Sequence, residues 1–122
     1  MKSDNSSELT IVTKKFSFLK GESKENFSEH LKTLLTGNVL EAYIFGSFFS
    51  DDFNADSDID LLIIVDTKLP FHERILYFKK KLNLDVPMDL IAYTSEEFQK
   101  IRDESPKVGF WKSVFESMTK IV

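Results

Sequence analysis

The chain has 122 residues, of which 42% are hydrophobic, and no cysteine, so we expect one domain with its own core and neither disulfides nor thiolate metal sites. Its formal net charge of −4 argues against a broad nucleic-acid surface. No apolar run approaches the ~20 residues that a membrane-spanning helix needs, and the N-terminus lacks the apolar segment of a signal peptide, so we expect a cytoplasmic protein without a membrane partner.

The first residues differ in composition from the rest of the chain. Residues 1–8 are polar and rich in serine, which predicts a disordered tail. The single domain is therefore expected to span 9–122. It begins with β-branched and aromatic residues in Leu9–Leu19, which are typical of a short strand or an irregular edge.

A helix and a strand are predicted next. Ser23 is a typical N-terminal capping residue, and Gly37 is expected to end the helix that follows it. Val39–Phe45 predicts a strand that ends at Gly46. The apolar positions of the helix, at helical spacing, are Phe27, Leu31, Leu34 and Leu35.

The middle of the chain contains the most apolar segment. Ile59–Val65 is apolar on both faces, which is typical of a central strand that is covered on both sides. Pro70 suits the first turn of a helix, and Val86–Tyr93 predicts a third strand. The apolar stripe of that helix consists of Phe71, Ile75, Phe78 and Leu82.

The C-terminal part is predicted to be mostly helical. Thr94 and Glu97 have the spacing of a capping box, and the helix that they begin is broken near Pro106. A last helix is expected over Lys107–Met118, and Ile121–Val122 would add an edge strand. This order of elements predicts a single α/β (α+β) domain, a small mixed sheet flanked by helices.

One motif carries most of the chemical information. Gly46-Ser47 is followed by ten residues and then by Asp58-Ile59-Asp60 at the start of the central strand. Side chains at i and i+2 of a strand point the same way, so Asp58 and Asp60 share a face. Two carboxylates this close resist ionisation unless a cation binds between them. Mg²⁺ prefers oxygen ligands, and proteins commonly bind it through carboxylates together with substrate phosphates.

A third acid lies within the third strand. Asp89 interrupts the apolar segment VPMDLIAY, where an unpaired charge is costly. If that strand pairs beside the central strand, Asp89 shares a face with Asp58 and Asp60. Three acids on adjacent strands hold two Mg²⁺ about 4 Å apart in enzymes of phosphoryl and nucleotidyl transfer.

The motif also has simpler interpretations. Asp-Ser-Asp before a strand is ordinary turn chemistry. A calcium loop is excluded because Leu61 and Thr67 stand where a glycine and a glutamate are required. His30 and His72 are interpreted as surface residues of helices. The aromatic residues of the C-terminal helices are interpreted as core, with base stacking or partner docking as the alternative: Phe98, Phe110, Trp111 and Phe115.

Together these residues resemble the DNA polymerase β-like nucleotidyltransferase superfamily, and most closely its minimal nucleotidyltransferase branch. The resemblance rests on Gly46-Ser47, Asp58-x-Asp60 and the strand-borne Asp89, and it runs from about Phe27 to the C-terminus. It implies the polymerase β-like nucleotidyltransferase fold. It also implies the antitoxin of a HEPN/MNT pair, which transfers AMP from ATP to a tyrosine of a HEPN-type toxin.

The resemblance assigns a role to each residue of the motif. Asp58 and Asp60 would bind both Mg²⁺ ions, and Asp89 would complete the first metal site and help to deprotonate the attacking hydroxyl. Gly46 would permit a close backbone approach. Ser47 would contact the β- or γ-phosphate of ATP, so these five residues form the predicted site.

The loop after Ser47 departs from the family's pattern. Ser50 stands where the family has a basic residue, and Asp51 stands where it has glycine, which weakens the expected triphosphate binding by about ten- to a hundredfold. Arg74 or Lys112 is a possible source of the missing charge. Two alternatives therefore remain: a non-catalytic module that neutralises a partner protein by binding it, and a transferase that modifies an antibiotic or tRNA.

Overall fold

The computed structural model describes residues 22–54, 56–104 and 109–122, so the predicted tail 1–8 and the predicted strand in Leu9–Leu19 lie outside the described residues. None of the helices described is long and apolar enough to cross a membrane. In chain order the elements are α1 (Lys24–Leu35), β1 (Glu41–Phe45), β2 (Ile59–Ile64), α2 (Phe71–Leu82), β3 (Met88–Tyr93), α3 (Ser95–Asp103), α4 (Gly109–Ser117) and β4 (Thr119–Lys120).

The strands form one mixed sheet in the order β3-β2-β1-β4. Strand β1 runs antiparallel to both β2 and β4. Strands β2 and β3 are parallel, and the chain between them forms α2. This arrangement confirms the predicted fold class, and it places the apolar strand β2 inside the sheet as its sequence predicts.

Side-chain caps begin two helices at the predicted residues. The Ser23 hydroxyl oxygen accepts a hydrogen bond of 3.0 Å from the Asn26 N–H at the start of α1. Thr94 and Glu97 form a reciprocal capping box at the start of α3, with bonds of 3.2 and 2.9 Å. Helix α2 begins directly after Pro70. These caps satisfy N–H groups that have no partner within a helix.

Helices cover both faces of the sheet. On one face, α1 and α2 pack against alternate residues of β2, including Leu61 and Ile63. On the other face, α3 and α4 contribute Phe98 and Val114, which pack with Leu62 and Ile64 of the same strand. Because side chains alternate along a strand, Asp60 lies on the α3–α4 face.

The ends of several elements differ from the predicted bounds. The edge strand lies two residues earlier than predicted, at Thr119–Lys120, because Ile44 and Tyr43 pair with these residues. Ile121–Val122 still forms backbone hydrogen bonds with Ala42, of 2.8 to 3.3 Å, although these lie outside the regular ladder. Helix α4 is described from Gly109, and residues 105–108 lie outside the described chain.

Candidate active site

The N-terminal ends of β2 and β3 bring two of the predicted acids side by side. Asp60 is the direct partner of Asp89 across the parallel ladder, and both lie on the face that α4 covers. The two acids line one cavity of about 320 Å³ together with Phe45 and Gly46. Asp58 is exposed and lies directly before β2. The predicted placement of Asp89 beside Asp60 is confirmed.

The three acids influence one another electrostatically. Partial burial, followed by the charges of Asp89 and Asp58, raises the pKa of Asp60 from its ordinary 3.8 to about 6. Burial and neighbouring carboxylates both disfavour the ionised form. A bound cation offsets both effects, so this end of the sheet favours cation binding.

The donor chemistry of the acids fits Mg²⁺. Asp58, Asp60 and Asp89 offer only carboxylate oxygens, the ligands that Mg²⁺ prefers. Among the residues that the structure describes, no three His, Cys, Asp or Glu side chains are drawn together as a preformed metal site. Mg²⁺ keeps several of its waters and needs only one or two direct carboxylates, so the fit rests on the donor set rather than on a closed cage.

Gly46 ends β1 directly against Asp60. Its φ of +76° lies in the left-handed region, which a glycine adopts at no steric cost. A methyl group at this position would overlap Oδ2 of Asp60 and would lie 3.2 Å from its Cγ. The Gly46 N–H donates a 2.8 Å hydrogen bond to the Ser117 hydroxyl of α4, which in turn donates to the Ser113 carbonyl at 2.9 Å. No sequence pattern indicates this role of Ser117.

Ser47 begins a folded loop. Its carbonyl accepts hydrogen bonds from both the N–H and the hydroxyl of Ser50, each 2.9 Å long. Phe48 is fully buried and packs edge to face on Phe53, with ring centroids 5.0 Å apart, and its ring lies 6.0 Å from that of Phe27 in α1. The aromatic contacts therefore anchor the loop to the core.

Lys24 brings a positive charge to this loop. From the first turn of α1, its ammonium group donates a 3.1 Å hydrogen bond to the Ser50 carbonyl. The same group lies 5.2 Å from the ring centroid of Phe53 and 5.8 Å from that of Phe48. No sequence pattern indicates this role of Lys24, because its carbonyl partner is 26 positions away in the chain.

The two cations that sequence suggested are paired with acids. Arg74 donates to both oxygens of Glu97, at 2.6 and 3.2 Å, and to the Ala92 carbonyl at 3.2 Å. These contacts are near the C-terminal ends of β2 and β3, away from Asp60, so the suggestion is wrong for Arg74. Lys112 is paired with Glu116 on the same helix.

The C-terminal aromatic residues divide into two groups. Phe98 is buried, and Trp111 and Phe115 pack partly buried beside it, as the core interpretation predicts. Phe110 is 57% exposed and lines the cavity with Asp60. The core interpretation is therefore wrong for Phe110, because helical spacing alone does not show where the covered face of a helix ends.

Comparisons with known proteins found a matching family model and a similar solved structure. A family model described as "Polymerase beta, Nucleotidyltransferase" matches residues 25–109, which include the Gly46-Ser47 turn and all three acids. A solved structure from Sulfolobus solfataricus, provisionally assigned as a nucleotidyltransferase, is 20% identical with a TM-score of 0.47, covering 66% of this chain and 84% of that chain. No curated protein matches the chain.

Proposed function

Because this chain belongs to the polymerase β nucleotidyltransferase family, we propose that it transfers AMP from ATP to a hydroxyl of a partner protein in the cytoplasm, using two Mg²⁺ ions. The observation that carries the proposal is the pairing of Asp60 with Asp89 beside Asp58. At this place partial burial, followed by the charges of Asp89 and Asp58, raises the pKa of Asp60. Mg²⁺ that arrives with a nucleoside triphosphate supplies the positive charge that this cluster favours.

Each residue has a separate part in the proposed reaction. Asp58, Asp60 and Asp89 would hold Mg²⁺, which supplies charge neutralisation at the phosphates. Asp89 also accepts the proton of the acceptor hydroxyl. The hydroxyl oxygen forms a bond to the α-phosphorus, the bond to the β-phosphate breaks, and pyrophosphate leaves. Gly46 lets the backbone approach, and Ser47 contacts the β- or γ-phosphate, so catalysis is mainly positioning.

We propose a HEPN-type toxin as the partner. The resemblance to the minimal branch of the family implies it, with a tyrosine hydroxyl of the toxin as the acceptor. The formal charge of −4 argues against tRNA as the acceptor.

The test is transfer of label from α-labelled ATP to a purified HEPN-type toxin in the presence of Mg²⁺. We expect label on the toxin, its loss when Mg²⁺ is chelated, and a rate at least about a hundredfold lower for Asp58→Asn. Asp56→Asn is the matched control, since Asp56 is an exposed acid of the same loop. Transfer that persists in Asp58→Asn contradicts the metal site, and label on tRNA or an aminoglycoside instead contradicts the acceptor.

A second candidate function is neutralisation of a partner by binding alone. It is favoured by Ser50, whose hydroxyl is engaged with the Ser47 carbonyl, and by the acid Asp51 in the same loop. Calorimetry with MgATP decides between the two functions. Binding at millimolar nucleotide or below supports catalysis, and its absence supports the binding module.

A further inference from the structure

The cavity that contains the acids combines two kinds of surface. Asp60 and Asp89 belong to it, and so does the backbone of Gly46. Most of the other lining residues have apolar side chains: Phe45, Ile91, Phe110 and Val114. A ligand that fills this cavity is therefore expected to combine a group that binds metal with a flat or apolar group.

Phe110 is the most exposed of these apolar side chains. Its ring makes T-shaped contacts with Phe45 and Trp111, at centroid distances of 6.0 and 5.3 Å and interplanar angles of 87° and 78°. These contacts fix the orientation of the ring, yet 57% of the residue stays accessible. Phe110, Ser113, Val114 and Ser117 lie at helical spacing, so this face of α4 follows the cavity from its apolar wall to the Gly46 turn.

We infer that Phe110 is the surface on which the nucleobase of the bound triphosphate stacks. The inference rests on the proposed function, in which the acids of the same cavity would hold the Mg²⁺ that binds the phosphates. Bases stack well on aromatic rings, and such a contact is strong even when few polar groups surround the base. Ser113 contributes a polar residue to the same lining.

The test compares two ligands that share the phosphates but not the base. Calorimetry measures binding of MgATP and of magnesium tripolyphosphate to the wild-type chain and to Phe110→Ala. We expect Phe110→Ala to weaken MgATP binding by about tenfold and to change tripolyphosphate binding by less than about twofold. Phe110→Leu keeps the apolar bulk but not the flat ring, so it should give a smaller loss.

Two features of the chain supply controls. Tyr77 is 50% exposed on α2, outside the cavity, and Tyr77→Ala should leave both affinities unchanged. Trp111 is the single tryptophan of the chain and touches Phe110, so its fluorescence should change when wild-type protein binds MgATP but not when it binds tripolyphosphate.

The possible failures are distinct. If wild-type protein binds neither ligand, the proposed function itself is wrong. If Phe110→Ala and Phe110→Leu bind MgATP as tightly as wild type, only the stacking inference is overturned. An equal loss of affinity for MgATP and for tripolyphosphate in Phe110→Ala also overturns it. Unchanged MgATP affinity with slower label transfer overturns it too, since the ring then contacts the acceptor and not the base.

Discussion

Strands β2 and β3 have charged groups at both ends, and the two groups differ in how their charges are balanced. At the N-terminal ends, Asp58, Asp60 and Asp89 repel one another, and the pKa of Asp60 is raised to about 6. Near the C-terminal ends, Arg74 binds Glu97 through two hydrogen bonds, which lower the pKa of Glu97. Charges of one sign and charges of both signs thus lie at opposite ends of the same pair of strands.

This difference separates a structural group from a functional one. The Arg74 guanidinium also donates to the carbonyls of Leu69 and Ala92, so its hydrogen bonds connect α2 with β3 and α3. The raised pKa of Asp60 means that ionisation of this acid costs the folded chain stability, so a contribution to stability does not explain the cluster. A cluster of this kind indicates ligand binding, and the following predictions test the distinction.

The largest effect is expected at the balanced end. Arg74→Met keeps an apolar stem but removes the guanidinium that donates to Glu97 and to the carbonyls of Leu69 and Ala92. We expect a loss of about 3 kcal/mol in the free energy of unfolding, near the lower end for broken buried pairs because Glu97 is 44% exposed. Urea unfolding measures this loss.

The control at that end is Glu97→Gln, which removes the charge but can keep the capping bond to the Thr94 N–H, so it should lose less stability. MgATP affinity should be unchanged in Arg74→Met. If this variant is as stable as wild type but binds ATP poorly, the roles of the two ends have been assigned the wrong way round.

Gly46→Ala tests the close approach at the acid end. Both Gly46 and Gly37 have positive φ, at +76° and +88°, but only Gly46 has a neighbour, Asp60, within 4 Å of an added methyl. We expect about 1 kcal/mol of destabilisation for Gly37→Ala and about 2–3 kcal/mol for Gly46→Ala in urea unfolding. Equal losses would contradict the tight contact with Asp60.

Lys24→Ala tests whether α1 supplies positive charge to the loop beside the acids. The ammonium group contacts the Ser50 carbonyl, at the position where the sequence lacks a basic residue. We expect the Kd for MgATP to rise about tenfold, the loss of one charged contact, and Lys24→Arg to restore most of the affinity. Lys32→Ala, on the same helix, is the control in calorimetry. An unchanged Kd in Lys24→Ala would limit this lysine to holding the loop.

The acid cluster was predictable in part from local rules. The two-residue period predicts Asp58 and Asp60 on one face, although β2 begins at Ile59 and Asp58 lies before it. The apolar strand around Asp89 predicts its place beside Asp60, which the parallel ladder confirms. The helix caps at Ser23 and Thr94 were predictable for the same reason, since each depends on residues within one turn. All the residues that form such a cap are neighbours in the sequence, so the sequence alone predicts it.

Contacts between distant segments were not predictable in this way. Gly46 meets Ser117 across 71 residues, and Lys24 meets Ser50 across 26, and no periodicity relates either pair. Arg74 is a possible source of charge for the loop by sequence, but it lies at the other end of the sheet, because α2 brings it to the carbonyl of Ala92. Such contacts depend on packing, which single-sequence patterns do not contain.

The smallest effect is expected from the repulsion among the acids themselves. Because the pKa of Asp60 is about 6 in the folded chain and 3.8 ordinarily, the folded state holds more protons between these values. Stability therefore falls as pH rises from about 4 to about 6 and stays lower above that range. Asp60→Asn removes this penalty.

We expect Asp60→Asn to be more stable than wild type by about 1 kcal/mol at about pH 8, since solvent screens a partly exposed carboxylate, and to match it near pH 4. Urea unfolding at both pH values measures the difference. Millimolar Mg²⁺ should raise the stability of wild type, because the cation binds the folded state, and should stabilise Asp60→Asn less. If Asp60→Asn is less stable than wild type at about pH 8 without Mg²⁺, the acids are not in conflict, and the contrast between the two ends of β2 and β3 loses its electrostatic basis.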